Sequence, residues 1–329
     1  MKKFINAVDK VEDQMIQGMV KAYPQYVRKL DCGNVVVRSH KKEGKVALIS
    51  GGGSGHEPAH AGYVGEGMLD AAVAGAVFTS PTPDQVLEGI KAVATDAGVL
   101  MVIKNYTGDV MNFEMAADMA RDEGIKVAQV VVNDDVAVKD SLYTVGRRGV
   151  AGTVFVHKIA GALAETGADL EAVQAVAQKV IDNVRTMGAA IAPCTVPAAG
   201  KPGFELGEDE MEVGIGIHGE PGTHREPLKT ADEIVDMLLA QILADLDFAG
   251  SEVAVMINSA GATPLMELFI LNNRVADVLA EKGVKVYKTL VGEFMTSIEM
   301  AGFSISLLKL DSQLKELLDA KADTPGFKA

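Results

Sequence analysis

Residues 45–58 read KVALISGGGSGHEP, the most informative part of the sequence for the fold and the site. A short aliphatic run passes directly into four glycines that surround Ser54, and His56 follows them. Aliphatic and β-branched runs favour strands, and glycine lets a backbone adopt positive φ or approach a ligand closely. Histidine titrates near neutral pH, so His56 adds a group that can gain or lose a proton. The stretch therefore predicts a strand, a glycine loop and a small-molecule site.

Strand-like runs alternate with helical patterns on both sides of this stretch, up to about residue 187. Such alternation is typical of right-handed βαβ units. We therefore predict an α/β protein whose first domain, residues 1–187, is a three-layer α/β/α unit with a largely parallel sheet. The predicted strands are 34–38, 45–50, 69–78, 99–104 and 125–132, and the predicted helices are 9–22, 83–97, 109–123, 153–166 and 169–187.

The pattern changes near residue 188. Residues 189–203 contain three prolines and no helical period, which suits a crossover between domains. Strands and helices then alternate again, so we predict a second, smaller α/β domain over residues 188–329. Its predicted strands are 212–218, 252–258, 284–290 and 303–310, and its predicted helices are 230–246, 264–282 and 312–320.

The composition excludes several classes of function. The chain has 329 residues and a formal net charge of −14, which argues against nucleic acid or an anionic membrane as the main partner, because either needs a basic face. Cys32 and Cys194 stand far apart, which favours a reducing compartment over a disulfide scaffold. No run approaches the roughly 18 apolar residues of a membrane span, and acidic residues occupy the place of a signal peptide's apolar core. We therefore predict a soluble, cytoplasmic protein.

Three predicted strand ends carry residues that can do chemistry. The first is the glycine stretch at 51–56, the second is KNYTGD at 104–109, and the third is GIGIHGEPG at 214–222, where a predicted strand ends at His218. In open α/β sheets, ligands collect at the carboxyl ends of the strands. These segments are therefore the candidates for a binding site.

Two motif matches in the first segment are rejected. GGGSGH lacks the last glycine of the dinucleotide fingerprint and a suitably placed acidic residue, and no Gly-Lys-Ser/Thr follows it as in a P-loop. HEPAH at 56–60 matches the H-E-x-x-H zinc signature, which needs both histidines on one helix face. Pro58 fits the first position of a helix, which would place His56 outside that helix. We therefore predict neither a nucleotide nor a metal here.

Each candidate residue also has a purely structural interpretation. Asp109 can cap the following helix, a role worth about 1 kcal/mol, or it can accept a proton from a ligand. Lys104 can be a solvated lysine or can polarise a ligand oxygen. Four glycines surround His218, which leaves little packing for a core histidine and admits another molecule close to its ring. The other histidines are interpreted as surface or supporting residues: His40, His60, His157 and His224.

Taken together, GGGSGHEP, KNYTGD and GIGIHGEPG resemble the substrate-binding subunit of the dihydroxyacetone kinase family. The resemblance covers essentially the whole chain, and three separated motifs in one order make it specific. The chain ends at residue 329 with no helical nucleotide-binding domain appended, which resembles the stand-alone subunit of the phosphotransferase-system type. The resemblance implies a two-domain fold of the dihydroxyacetone kinase and DegV type, with a mixed sheet in the second domain, and a homodimer.

The resemblance also implies the chemistry. His218 matches the histidine that adds to the carbonyl of dihydroxyacetone and forms a hemiaminal, and His56 and Asp109 match the acid/base pair. No cofactor is expected on this chain, because ADP or ATP with Mg is expected on a partner kinase subunit that a phosphocarrier subunit recharges. Substrate contacts are predicted for Gly53, Ser54, Gly55, His56, Lys104 and Asp109.

Three functions follow as candidates. The first is a phosphotransferase subunit that helps to convert dihydroxyacetone to dihydroxyacetone phosphate. The second is a dihydroxyacetone-sensing paralogue that acts as a transcriptional coactivator; His218 does not separate these two, whereas His56 and Asp109 favour catalysis. The third is a fatty-acid carrier, which needs a long apolar pocket. We favour the first because of His56 and Asp109. A neutral imidazole is a fair nucleophile toward a ketone, and glycerol has no carbonyl to attack.

Overall fold

The first half of the chain forms a six-stranded mixed sheet. The structure is a computed structural model that describes residues 2–138 and 145–329. In spatial order β1-β2-β4-β3-β5-β6, the strands are β1 (Val27–Lys29), β2 (Val35–Arg38), β4 (Ala71–Val77), β3 (Ala47–Ser54), β5 (Val99–Lys104) and β6 (Val127–Val132). The last four run parallel, and β1 and β2 form an antiparallel edge. β3 and β5 are buried along their whole length, as expected for strands covered on both faces.

Helices cover both faces of this sheet. The helices of this half are α1 (Val11–Ala22), α2 (Pro83–Val93), α3 (Thr107–Asp122), α4 (Thr153–Glu165) and α5 (Leu170–Asn183). α2 begins where Thr82 and Gln85 form a capping box, and together with α3 it packs on one face around Ile49, Met101 and Phe113. α1, α4 and α5 pack on the other face. The three layers predicted for the first domain are therefore present.

The second half of the chain forms another six-stranded mixed sheet. In spatial order, its strands are β11 (Lys285–Gly292), β10 (Glu252–Ser259), β12 (Ala301–Leu310), β7 (Val184–Ala192), β8 (Glu210–Val213) and β9 (His224–Pro227). Only the β10–β11 pair is parallel among the pairs of this sheet that the structure describes. The helices are α6 (Ala231–Asp245), α7 (Leu265–Glu281) and α8 (Ser312–Asp319).

The two sheets share a hydrophobic core. Leu48 of β3, Val156 of α4 and Val176 of α5 belong to the same buried cluster as Met256 of β10 and Leu308 of β12. α4 and α5 therefore lie between the sheets, while α6 and α7 cover the outer face of the second sheet. This arrangement brings the ends of both sheets to one site. No described helix has the length and hydropathy of a membrane span.

Two sequence predictions about the second sheet were wrong. The helix predicted over 169–187 ends at Asn183, and Val184–Ala192 is a central strand paired with β12 and β8. The strand crosses the predicted domain division at 187/188, and that division stays a prediction. The strand predicted over 212–218 ends at Val213, because Gly214 has a φ of 71° and turns the chain. His218 consequently lies in a turn.

Candidate active site

The glycine stretch is the end of strand β3, and the predicted loop was wrong at this point. Its glycines permit close approach of the neighbouring backbone, since a Cβ on Gly51 would lie 2.3 Å from the Val73 carbonyl oxygen. A Cβ on Gly52, whose φ is 143°, would lie 2.6 Å from Nζ of Lys104 and 3.3 Å from Oδ2 of Asp109. The glycines therefore leave room for two charged side chains directly beside the strand.

The two ring nitrogens of His56 differ, because one is hydrogen-bonded and the other has a free lone pair. The residue is fully buried, and its Nδ1 lies 2.9 Å from the carbonyl oxygen of Thr296. A carbonyl oxygen only accepts hydrogen bonds, so Nδ1 carries the proton and Nε2 has a free lone pair. Nε2 is buried and has no hydrogen-bond partner in the described part of the chain. Burial, and then the charge of Lys104, lower the pKa of His56 to about 3, so the ring is neutral.

His218 stands in a cage of three rings, where sequence reasoning expected little packing. Its ring centroid lies 4.4 Å from that of Tyr106, 4.8 Å from that of His56 and 5.3 Å from that of Phe78, with interplanar angles of 88°, 77° and 88°. These are edge-to-face contacts, which aromatic rings favour. Burial, and then His56, hold the pKa of His218 well below its usual value. Its imidazole is therefore neutral and able to act as a nucleophile.

The turn that carries His218 is fixed by a buried ionic network. The backbone N–H of His218 donates to Glu220 at 2.9 Å. Arg148, which is 1% exposed, donates to Glu220 at 3.3 Å, to Asp135 at 2.6 Å and to the Gly214 carbonyl at 2.7 Å. Burial raises the pKa of Asp135 to about 6, although Arg148 opposes this. Removal of one member would leave buried charges unpaired.

Asp109 and Lys104 face each other behind the glycine strand. Nζ of Lys104 lies 3.9 Å from Oδ2 of Asp109, and Ser80 donates to Oδ1. Both residues are buried, so Lys104 is not a solvated lysine. The N-cap position of α3 belongs to Tyr106, and Asp109 lies in the first turn without capping it. Burial raises the pKa of Asp109 against the opposing charge of Lys104, which favours a carboxylate able to accept a proton.

Ser54 and Gly55 lie at the same strand end, but their observed contacts are within the protein. The Ser54 hydroxyl donates to the Gly75 carbonyl at 2.7 Å. The Gly55 carbonyl accepts the Ile298 N–H at 2.7 Å, and a Cβ on Gly55 would lie 2.8 Å from the Phe78 ring. Together with Gly53 they shape the wall of the site. The substrate contacts assigned to these residues stay predictions.

Sequence reasoning missed Phe78 and Ser80. Both follow β4, which runs parallel to β3 and therefore ends at the same edge of the sheet. The rule that ligands collect at the carboxyl ends of strands, applied to the end of β4 as a fourth strand end, would have identified both residues. Tyr106 lies within the KNYTGD motif but was not selected. Its hydroxyl is buried and has no hydrogen-bond partner among the described residues.

The site contains side chains that can act as acids, bases and nucleophiles. Within residues 2–138 and 145–329, no group of three or more His, Cys, Asp or Glu side chains could hold a metal ion. His56 and His218 supply neutral nitrogens, and Asp109 supplies a carboxylate. The arrangement suits nucleophilic addition to a carbonyl and proton transfer from a hydroxyl.

Comparison with known proteins identifies the family of the chain. The Dak1 domain model matches residues 17–326. The chain is 56% identical over 98% of its length, and 99% of the relative, to the dihydroxyacetone-binding subunit DhaK of PTS-dependent dihydroxyacetone kinase 1 from Listeria innocua. It is 44% identical, over 99% of both chains, to the dihydroxyacetone-binding subunit DhaK of the PEP-dependent kinase from Escherichia coli.

Solved structures extend the comparison to the fold. The dihydroxyacetone kinase of C. freundii matches with a TM-score of 0.93 and 36% identity, over 99% of this chain and 60% of that longer chain. The dihydroxyacetone kinase operon co-activator DhaQ matches with a TM-score of 0.90 and 37% identity, over 95% of this chain and 97% of that chain. A fatty-acid-binding DegV protein from Thermus thermophilus, 15% identical over 81% of this chain and 100% of its own, shares only the fold, with a TM-score of 0.52. The chain therefore belongs to the Dak1 family, with the dihydroxyacetone-binding subunits of the PTS-dependent dihydroxyacetone kinases.

Proposed function

We propose that this chain holds dihydroxyacetone as a covalent hemiaminal on His218 while a partner subunit phosphorylates its terminal hydroxyl. The observation that carries the proposal is the caged, neutral imidazole of His218 beside the free Nε2 of His56. The names of the PTS- and PEP-dependent relatives support dihydroxyacetone as the ligand.

The addition step needs a neutral nitrogen as nucleophile and a group that accepts the proton released by the imidazole. A ring nitrogen of His218 attacks the central carbon, one C–N bond forms, and the carbonyl π bond breaks. The carbonyl oxygen gains a proton and the imidazole loses its own, so no other reactant is needed. Nε2 of His56 can take the proton that the His218 imidazole loses and pass it to this oxygen, because it is free to accept and its ring centroid lies 4.8 Å from that of His218.

The second step is phosphoryl transfer to the terminal hydroxyl of the held ligand. Asp109 accepts the hydroxyl proton, and Lys104 stabilises the charge that develops on the oxygen. Phosphoryl transfer depends mainly on positioning and charge neutralisation. The nucleotide and Mg, held by the partner subunit, supply the phosphoryl group and its counter-charge, and a phosphocarrier subunit recharges the nucleotide.

Native mass spectrometry tests the covalent step. Wild-type protein mixed with dihydroxyacetone is expected to gain the full mass of the ligand without loss of water, and to show no gain with glycerol. The His218→Ala variant should lose the adduct, while His224→Ala, which changes an exposed histidine, should keep it. An adduct that survives in His218→Ala would overturn the proposal.

A coactivator role is the second candidate, because DhaQ matches nearly the whole chain at 37% identity. The buried Asp109 and its Lys104 partner favour catalysis. A coupled assay with purified nucleotide-binding subunit and phosphocarrier decides between the two. Formation of dihydroxyacetone phosphate supports the kinase role, whereas ligand binding without product would favour the coactivator.

The chain is further proposed to act as a homodimer in the cytoplasm. An exposed apolar group on α7 and nearby segments supports self-association, because monomers seldom leave such patches uncovered. Ile191, Leu228 and Ile270 line one groove, and the exposed Leu265, Met266 and Phe269 lie beside Ile270 on α7. Light scattering of wild-type protein and Phe269→Glu measures this, with a dimer expected only for the wild type.

A further inference from the structure

A line of buried polar groups leads away from Asp109 into the shared core. Lys104 Nζ lies 2.8 Å from Nε2 of His60, and Nδ1 of His60 lies 2.9 Å from Nε2 of His157. His60 is 6% exposed, and Lys104 and His157 are 0% exposed. The function described above uses neither His60 nor His157. We therefore expect this buried row of titratable groups to have a role of its own.

The direction of these hydrogen bonds follows from the chemistry of their ends. An ammonium group only donates, so Nε2 of His60 must accept from Lys104 and its proton must sit on Nδ1. Nδ1–H of His60 then donates to Nε2 of His157, whose proton sits on its own Nδ1. The Ser50 hydroxyl lies 3.4 Å from His60 Nδ1, but it donates to the Val102 carbonyl and can only accept here. Every bond therefore runs from Lys104 inward.

The inner end of the line is closed. Nδ1 of His157 is buried and has no hydrogen-bond partner in the described ranges. A route for protons would have to continue to solvent from this atom. The arrangement therefore suits positioning rather than proton transport.

Lys104 gains a defined orientation from this line. One of its three N–H groups donates to the Gly51 carbonyl at 3.0 Å and a second donates to His60. The third is left for Asp109, whose Oδ2 is 3.9 Å away, or for a ligand oxygen between them. Without an acceptor at His60, the ammonium group could turn inward or lose its proton.

We propose that His60 and His157 are positioning residues that hold Lys104 as an ammonium group with one N–H directed at the reacting hydroxyl. This inference rests on the proposed function, since it assigns the ligand oxygen to the substrate. His60 acts on Lys104 directly, and His157 acts by fixing the tautomer of His60. Neither is required to touch the substrate.

The first test reads the tautomers without substrate. Selective ¹⁵N labelling of the six histidines, with long-range ¹H–¹⁵N correlation spectra, is expected to show His60 and His157 protonated on Nδ1 only. His60→Gln and His157→Gln assign the two signals. A proton on Nε2 of His60 would overturn the inference while leaving the covalent chemistry of His218 untouched.

The second test separates positioning from folding. His60→Leu removes the acceptor, and we expect kcat to fall about 10- to 100-fold, as for a misplaced catalytic group, with KM and adduct formation changed less than about threefold. His60→Gln returns an acceptor and should recover most of kcat, while His157→Leu should have a smaller effect. His40→Leu, at an exposed histidine, is the control. Equal losses in His60→Leu and His60→Gln would overturn the inference, and absence of any adduct in wild-type protein would instead overturn the proposed function.

Discussion

At the scale of single residues, the site depends on histidines that stay neutral. His56 is protonated on Nδ1 because the Thr296 carbonyl accepts there, and this leaves Nε2 free. His218 stays neutral because it is enclosed by rings and lies near cationic groups. A protonated imidazole could neither attack a carbonyl nor accept a proton. Burial thus supplies the chemical state that the proposed reaction needs.

The Asp109→Asn variant tests the assignment of the proton acceptor. Asparagine keeps the size of the side chain but cannot take the hydroxyl proton, so turnover should fall by about 10²- to 10⁴-fold. The hemiaminal should still form, because His218 is unchanged. Turnover is measured in the coupled assay and the adduct by native mass spectrometry. Asp118→Asn, on the exposed side of the same helix, is the control; normal turnover in Asp109→Asn would reduce that residue to a structural role.

The pH dependence of stability tests the buried, neutral state of His157. Its pKa is lowered to about 3, chiefly by burial, whereas a free histidine has a pKa of about 6.5. Between these values the unfolded chain binds a proton that the folded chain does not, so stability falls as the pH decreases, by about 1.4 kcal/mol per unit for this group.

Urea unfolding at pH 7 and pH 5 measures that loss. Wild-type protein should lose about 2 kcal/mol more than His157→Gln between the two pH values. Each protein is compared with itself, so the packing cost of the substitution cancels. An equal loss in both proteins would show that His157 titrates normally.

At the scale of elements, the end of β3 is built around glycine. A Cβ on Gly53 would lie 2.5 Å from the Thr79 nitrogen and 2.6 Å from Cα of Phe78, both backbone atoms. The Gly53→Ala variant should therefore lose about 1–3 kcal/mol of stability and weaken adduct formation, because Phe78 belongs to the cage around His218. Gly18→Ala is the matched control, since nothing lies within 4 Å of its Cβ in α1, and it should gain up to about 1 kcal/mol. Equal urea midpoints for Gly53→Ala and wild type would contradict this.

The elements also show what the sequence could predict. Strongly apolar runs such as Val99–Lys104 were placed correctly as buried strands, and the motif glycines marked the site. The start of the strand Val184–Ala192, residues 184–187, was misassigned to the preceding helix because α5 continues into it without a turn residue, and Arg185 and Met187 also suit a helix. Its second part, residues 189–192, was assigned to the crossover. Only pairing with β12 makes the whole segment a strand.

At the scale of the whole molecule, the site is assembled from both sheets. His56 follows β3 of the first sheet, and its partner Thr296 lies in the second half, 240 residues away. His60 and His157 are 97 residues apart. No local sequence pattern indicates that such distant residues are paired. For this reason the motif residues could be predicted from the sequence, whereas the ring cage and the polar line behind Lys104 could not.

The shared core predicts cooperative unfolding. Because one buried cluster joins α4 and α5 to strands of both sheets, neither half has a complete core alone. Calorimetry of the ligand-free protein should show one transition, with coincident near- and far-ultraviolet dichroism changes. Two resolved transitions would mean that the halves fold independently.

A crystal soaked in dihydroxyacetone tests whether His218 binds the ligand covalently. We expect continuous electron density from a ring nitrogen of His218 to the tetrahedral central carbon of the ligand, with a terminal hydroxyl beside Asp109. A planar, separate ligand within the ring cage, with no bond to His218, would contradict it.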